Sequence, residues 1–170
     1  MRNTFIFLVS LLPHFSIAQI GKDINFEKII FHTTGCYGFC PVYHLEIDNK
    51  KNAKLFSEMV YKPSSKHSYR EDTSKTGYFK GLIADTTFKH LLNEIQKIGI
   101  DSLTFDGANC CDAPIRTIII YYNNKRKYLR SMFPPDKARN LISLLYRICD
   151  INDFIKINGK FEIELEKASR

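Results

Sequence analysis

The segment YHLEIDNKKNAKLFSEMVY, residues 43–61, decides the fold class. Tyr43, Leu45 and Ile47 point one way along an extended chain while His44, Glu46 and Asp48 point the other, the period of two of a half-buried strand. The polar cluster Asp48 to Asn52 breaks the alternation and reads as a turn into a second strand, Ala53 to Tyr61. Strands joined by so short a turn form a hairpin and run antiparallel. The same grammar recurs further on, where Ile115 to Tyr122 turns at Asn123-Asn124 into Arg126 to Met132. Strands over Glu27 to Thr33 and Lys75 to Ile83 complete the set.

Two segments carry the helical period. Phe88, Leu91, Leu92, Ile95 and Ile98 lie on one stripe, with Asp85 as N-cap and Gly99 as terminator, which predicts a helix over 86–98. A second helix starts at Pro134-Pro135-Asp136 and runs to about Cys149, burying Ala138, Leu141, Leu144, Leu145 and Ile148. The order ββββ-α-ββ-α is not the strict alternation of a parallel α/β fold. It predicts an α+β domain, an antiparallel sheet of five to seven strands with two helices packed on one face. The polar stretch Lys62 to Ser74 reads as a loop, and residues 158–170 as a charged tail.

The first residues read as an export signal. Arg2 supplies a positive n-region, Phe5 to Leu12 form a short apolar run broken only by Ser10, and Ser16-Ile17-Ala18 places small residues where a signal peptidase requires them. Cleavage is expected after Ala18, giving a signal peptide over 1–18 and one domain over 19–157. A membrane-spanning helix needs roughly 20 apolar residues, more than this run supplies, and no later segment comes closer, so no transmembrane segment is expected after cleavage. The chain has 25 Lys and Arg against 18 Asp and Glu, and losing Arg2 leaves a net charge of +6. The expected location is exported: periplasmic, envelope-associated or secreted.

Such a compartment permits disulfides, and the five cysteines stand at 36, 40, 110, 111 and 149. Cys36 and Cys40 lie in Gly35-Cys36-Tyr37-Gly38-Phe39-Cys40-Pro41, a loop between two strands where the glycines permit positive φ and Pro41 holds Cys40 extended. Five residues can bend enough to close a disulfide. The same pair could instead be redox-active, or could bind copper or zinc together with His44, or with Cys110 and Cys111. No helix follows the loop to lower a thiol pKa as in C-x-x-C dithiols. Cys110 and Cys111 are adjacent, a disulfide between neighbours is strained, and the two are therefore expected to meet different fates, one of them reaching the first loop. Asp112 stands in the same segment, and Cys149 falls on the buried side of the second helix as a free thiol.

The string Thr34-Gly35-Cys36-Tyr37-Gly38-Phe39-Cys40-Pro41-Val42-Tyr43 resembles the hallmark T-G-C-aromatic-G-x-C-P-x-Y of an uncharacterised bacterial domain family. The similarity spans roughly residues 27–150 and includes a D-x-P step matched by Asp112 and Pro114. Members are typically exported proteins of unknown function, so the resemblance implies a location and no activity. Cys110, Cys111 and Cys149 fall outside the pattern, which implies that Cys36 pairs with Cys40. The loop is also similar to the C-x-x-x-C-P loop of copper-delivery proteins, with Cys36, Cys40 and Pro41 at matching positions. Those proteins, however, carry the loop in a parallel α/β domain and add a distal histidine that has no clear counterpart here.

No G-x-S-x-G elbow, H-E-x-x-H pair, P-loop or dinucleotide fingerprint occurs, and no cofactor is indicated. The basic cluster Lys125, Arg126, Lys127 and Arg130 sits on a hairpin, where charge discourages strand-to-strand aggregation, and nucleic acid is not expected as a partner. His32 reads as a surface or internally satisfied strand residue. The expectation is a non-catalytic binding or interaction module with an unknown protein or small-molecule partner. The competing expectation is thiol-redox or soft-metal handling at Cys36 and Cys40.

Overall fold

The computed structural model describes residues 24–66, 68–150 and 153–165. Strands β1 (Phe26–Thr33), β2 (Val42–Asp48) and β3 (Asn52–Met59) come first, followed by β4 (Tyr61–Ser65), β5 (Ser68–Glu71) and β6 (Gly77–Leu82). Helix α1 (Asp85–Lys97), strands β7 (Arg116–Tyr122) and β8 (Lys125–Ser131), helix α2 (Arg139–Cys149) and strand β9 (Ile155–Ile157) complete the chain. Seven strands form one antiparallel sheet in the order β8-β7-β1-β2-β3-β6-β9, and β4 and β5 form a separate two-stranded arm. The fold is α+β as the hairpin pattern predicts.

Alternation decides what each strand buries. Ile29 and Phe31 of β1, Tyr43, Leu45 and Ile47 of β2, Leu55 of β3, and Ile118 and Ile120 of β7 join one core with Leu91 and Ile95 of α1 and Leu141, Leu144, Leu145 and Ile148 of α2. Both helices therefore cover one face. Lys51, Asn123 and Asn124 take the positive φ that two tight turns require, Asn123 and Asn124 consecutively, as in the turns favoured between strands of right-handed twist.

Several boundaries differ from expectation. Asp85 is not the N-cap: Ala84 holds that position without a side-chain bond, and Asp85 lies inside the first turn, where its carboxylate accepts from Lys51 Nζ at 2.7 Å. Gly99, at φ +59°, ends α1 and donates its N–H to Gln96 O. A short 3-10 turn, Asp136–Ala138, separates Pro134-Pro135 from α2. The stretch from Lys62 to Ser74 is not a plain loop, since its described residues hold most of β4, all of β5 and the start of a second 3-10 turn, Thr73–Lys75. Strand propensity is weak in that stretch because it is polar and contains Pro63; the arm is instead fastened at its base. Asp72 donates its N–H to Val60 O at 2.7 Å and accepts from Lys62 Nζ at 2.8 Å and Ser74 Oγ at 2.6 Å. The Lys62 ammonium, then the Ser74 hydroxyl, hold the Asp72 carboxyl down at about 2.

Residues 158–165 form no helix or strand, yet Ile163 is buried against Ile30 of β1 and Ile119 of β7, with Phe161 beside them. Glu164 accepts from Tyr121 Oη at 2.7 Å and from Arg126 Nε at 3.1 Å. This segment thus covers part of the face the helices leave open. Replacing Ile163 by Ala should lower stability by about 2 kcal/mol, near the low end for buried Ile because the site is peripheral, and should speed hydrogen exchange at Ile30. An unchanged urea midpoint would contradict the docking.

Candidate functional site

The loop between β1 and β2 is closed by its two cysteines, whose sulfurs stand 2.01 Å apart with Cα atoms separated by 5.6 Å. Thr33, the last residue of β1, braces the loop's exit: its Oγ1 donates to Pro41 O at 2.9 Å and accepts from the Tyr43 N–H at 3.0 Å. Thr34 ties the loop to the segment before β7, donating its N–H to Ile115 O and accepting the Ile115 N–H on Oγ1. Asp112 comes to the same place, its carboxylate accepting the N–H of Tyr37. Neither Gly35 nor Gly38 takes a positive φ, so the loop does not depend on left-handed glycines as expected.

This frame holds two aromatic side chains out to solvent. Tyr37 is 92% exposed and Phe39 50%. The Phe39 ring stacks on Tyr69 of β5 at 4.4 Å between centroids and meets Tyr61 of β4 edge-on at 5.3 Å. The β4–β5 arm therefore acts as a buttress for Phe39, and Phe39, Tyr61 and Tyr69 form one aromatic platform at one end of the sheet, with Tyr37 exposed two residues from Phe39 on the same loop.

The remaining cysteines do not divide as expected. Cys110 and Cys111 are both exposed and free, with sulfurs 2.7 Å apart, and it is Asp112, not a cysteine, that reaches the first loop. Cys149 is buried, and burial pushes its thiol well above the ordinary range. Among the described residues no three His, Cys, Asp or Glu side chains are grouped as metal ligands. Cys36, Cys40, His44, Cys110 and Cys111 thus form no common site, and His44 lies on the face of the sheet opposite the helices.

There it meets His32, a pair that only the strand register reveals, because β1 and β2 place the two residues directly opposite each other. His32 Nε2 lies 2.8 Å from Glu164 O, and its Nδ1 lies 2.8 Å from His44 Nδ1. A carbonyl only accepts, so His32 carries its proton on Nε2 and its bare Nδ1 accepts from the Nδ1–H of His44. The pair borders a groove of about 840 Å³ lined by Lys28, His44, Glu46, Phe56, Tyr78 and Phe161 among others. On the helix side, a cavity of about 290 Å³ is lined by Tyr43, Ser57, Lys75, Cys149, Asp150 and Phe154 among others. Tyr43 Oη donates to Asp150 at 2.8 Å, and burial together with that bond pushes the phenol upward. Ser57 Oγ is buried with no hydrogen-bond partner among the described residues. The Tyr43 phenol and the Cys149 thiol are thus both held in their protonated forms, and neither offers a ready nucleophile there.

Burial holds the His32 imidazole below its ordinary 6.5. The unfolded chain then takes up this proton at a higher pH than the folded one, so stability present above about 6.5 is lost as pH falls from there. A second proton on His32 would also turn Nδ1 from acceptor to donor against His44. The urea midpoint should fall between about pH 7.5 and about pH 5.5, and His32→Gln should flatten that dependence. An equal slope in both proteins would remove His32 as its cause.

Residues 1–18, where the export signal is expected, lie outside the described residues, and among those described no helix is long and apolar enough to cross a membrane. No curated protein matches the chain. Residues 27–151, well over half of the chain, match the model of a family described as a domain of unknown function, DUF6438, and the protein belongs to that family.

Proposed function

We propose that the protein is an exported binding module, periplasmic, envelope-associated or secreted, whose contact surface is the exposed Tyr37 together with the platform of Phe39, Tyr61 and Tyr69. The observation that carries this reading is the outward presentation of Tyr37 and Phe39 on a loop closed by Cys36 and Cys40. Aromatic side chains are the commonest anchors of protein contacts. A closed loop presents them at reduced entropic cost, because little of it is left to order on binding. Tyr37 and Phe39 line none of the cavities described above, whereas small-molecule sites are concave. The partner class is therefore a protein surface with an apolar recess.

The competing use of Cys36 and Cys40 as a redox or soft-metal pair has weaker support. The groups bracing their loop, Thr33, Thr34 and Asp112, serve its geometry.

A photo-crosslinking residue at position 37, introduced in the exporting host, should give a discrete protein adduct. The same residue at Leu82, an exposed apolar position at the far end of the sheet, should not. The Cys36→Ser, Cys40→Ser double variant should remain folded and lose the adduct, since so small a loop constrains the unfolded chain by less than the roughly 3 kcal/mol of a 15-residue loop. The intact mass of the exported protein should start at Gln19. Equal or absent crosslinking at both positions contradicts the contact surface, and a retained Met1 contradicts export.

A further inference from the structure

The segment from Asp106 to Ile115 is fixed at both flanks and free at its apex. On one side the Asp106 carboxylate accepts from Ser131 Oγ at 2.5 Å and from the Ala108 N–H at 2.9 Å, and Met132 donates its N–H to Ala108 O at 2.9 Å. The Cys110 N–H points to Met132 Sδ at 3.1 Å. On the other side Asp112 holds Tyr37, and Ile115 is bonded in both directions to Thr34. Between these anchors Cys111 adopts φ +64°, a left-handed conformation that residues with a Cβ rarely take. In this arrangement the two exposed sulfurs come within 2.7 Å of each other, closer than unbonded sulfurs ordinarily approach and longer than the roughly 2.05 Å of a disulfide.

We propose that Cys110 and Cys111 are a thiol–disulfide exchange site, separate from the Cys36–Cys40 clip, whose substrate class is an external disulfide. One sulfur of the pair, as thiolate, attacks a sulfur of R–S–S–R; an R–S⁻ leaves and a mixed disulfide remains. The neighbouring sulfur, as thiolate, attacks the cysteine sulfur of that mixed disulfide and expels the second R–S⁻, and the Cys110–Cys111 bond forms. Two protein thiols are oxidised, one external disulfide is reduced to two thiols, and the two cysteine protons end on those products. The adjacent sulfur of Cys111 raises the Cys110 thiol above its ordinary range, so exchange should quicken with rising pH.

The closed pair is easily reopened for a geometric reason. Neighbouring Cα atoms across a trans peptide are about 3.8 Å apart, whereas unstrained disulfides span roughly 4.4 to 6.8 Å. The clip, at 5.6 Å, sits inside that range. The two pairs thus divide the work, one holding shape and the other cycling. This assignment is independent of the aromatic platform, since it needs neither a partner protein nor Tyr37.

The full mature chain, with Cys110 and Cys111 reduced and its fold intact, would be equilibrated in glutathione buffers of graded poise. Acid quenching, alkylation and peptide mass mapping would then follow each pair. The expected result is a Cys110–Cys111 peptide lighter by two hydrogens, carrying neither glutathione nor alkyl groups, half-formed at a more oxidising poise than the clip. In Cys111→Ser the reaction should stop at a single glutathione on Cys110. Stable glutathione on both cysteines of the wild type, two free thiols under excess oxidised glutathione, or a bond from either to Cys36, Cys40, Cys149 or another copy would overturn the proposal.

Discussion

Strand β1 is buried on both of its faces and paired along both of its edges, and the rest of the molecule is arranged to satisfy that condition. Ile29 and Phe31 face the helices while Ile30 and His32 face the other way, and all four are buried. β2 and β7 pair with β1 on its two sides. Antiparallel sheets commonly leave one face to water. Here Ile30 and Ile119 are fully removed from it, which obliges the chain to bring back a cover once both helices are committed to the opposite side. Phe161, Ile163 and Glu164 supply that cover. His32 completes it: a polar residue at a buried strand position is tolerable only with its hydrogen bonds made, and both ring nitrogens find partners.

The direction of β1 also decides where the candidate surface lies. Antiparallel pairing brings the end of β1, the starts of β2 and β7, and the ends of β3 and β8 to one end of the sheet. The closed loop, the Asp106–Ile115 segment and the β4–β5 arm each emerge there and interlock through Thr33, Thr34, Asp112 and the Phe39–Tyr69 stack. None of these segments has a hydrophobic interior of its own. Their order comes from contacts with each other and from the sheet end beneath them, the situation in which loops on a rigid scaffold carry binding function.

What could be read from sequence was whatever local chemistry determines. The alternation of Tyr43, Leu45 and Ile47, the Asn123-Asn124 turn and the stripe from Leu91 to Ile95 sufficed for an antiparallel α+β fold. The β4–β5 arm was not legible, because Tyr61–Ser65 and Ser68–Glu71 bury almost nothing and their pairing depends on Asp72 and Phe39. β9 has three residues, too few for any periodicity. The cover at Phe161 and Ile163 is two apolar residues among charges, and nothing local distinguishes it from a solvated tail. In the site, residue types were legible and distances were not. Asp112 could be singled out by its place beside the cysteines, but its bond to Tyr37 spans 75 residues. The His32–His44 pair required the β1–β2 register, and the closeness of Cys110 to Cys111 required the left-handed backbone of Cys111.

The loop between β1 and β2 is shaped by its own covalent bond, and Tyr37 and Phe39 are presented because Cys36 and Cys40 hold the chain closed beneath them. Peptide mapping without reduction, on protein made in an exporting host, tests that directly. The expected result is one peptide species in which Cys36 is linked to Cys40, with Cys149 unlinked to either. Recovery of Cys36 and Cys40 as free thiols, or each joined to a different cysteine, would contradict it.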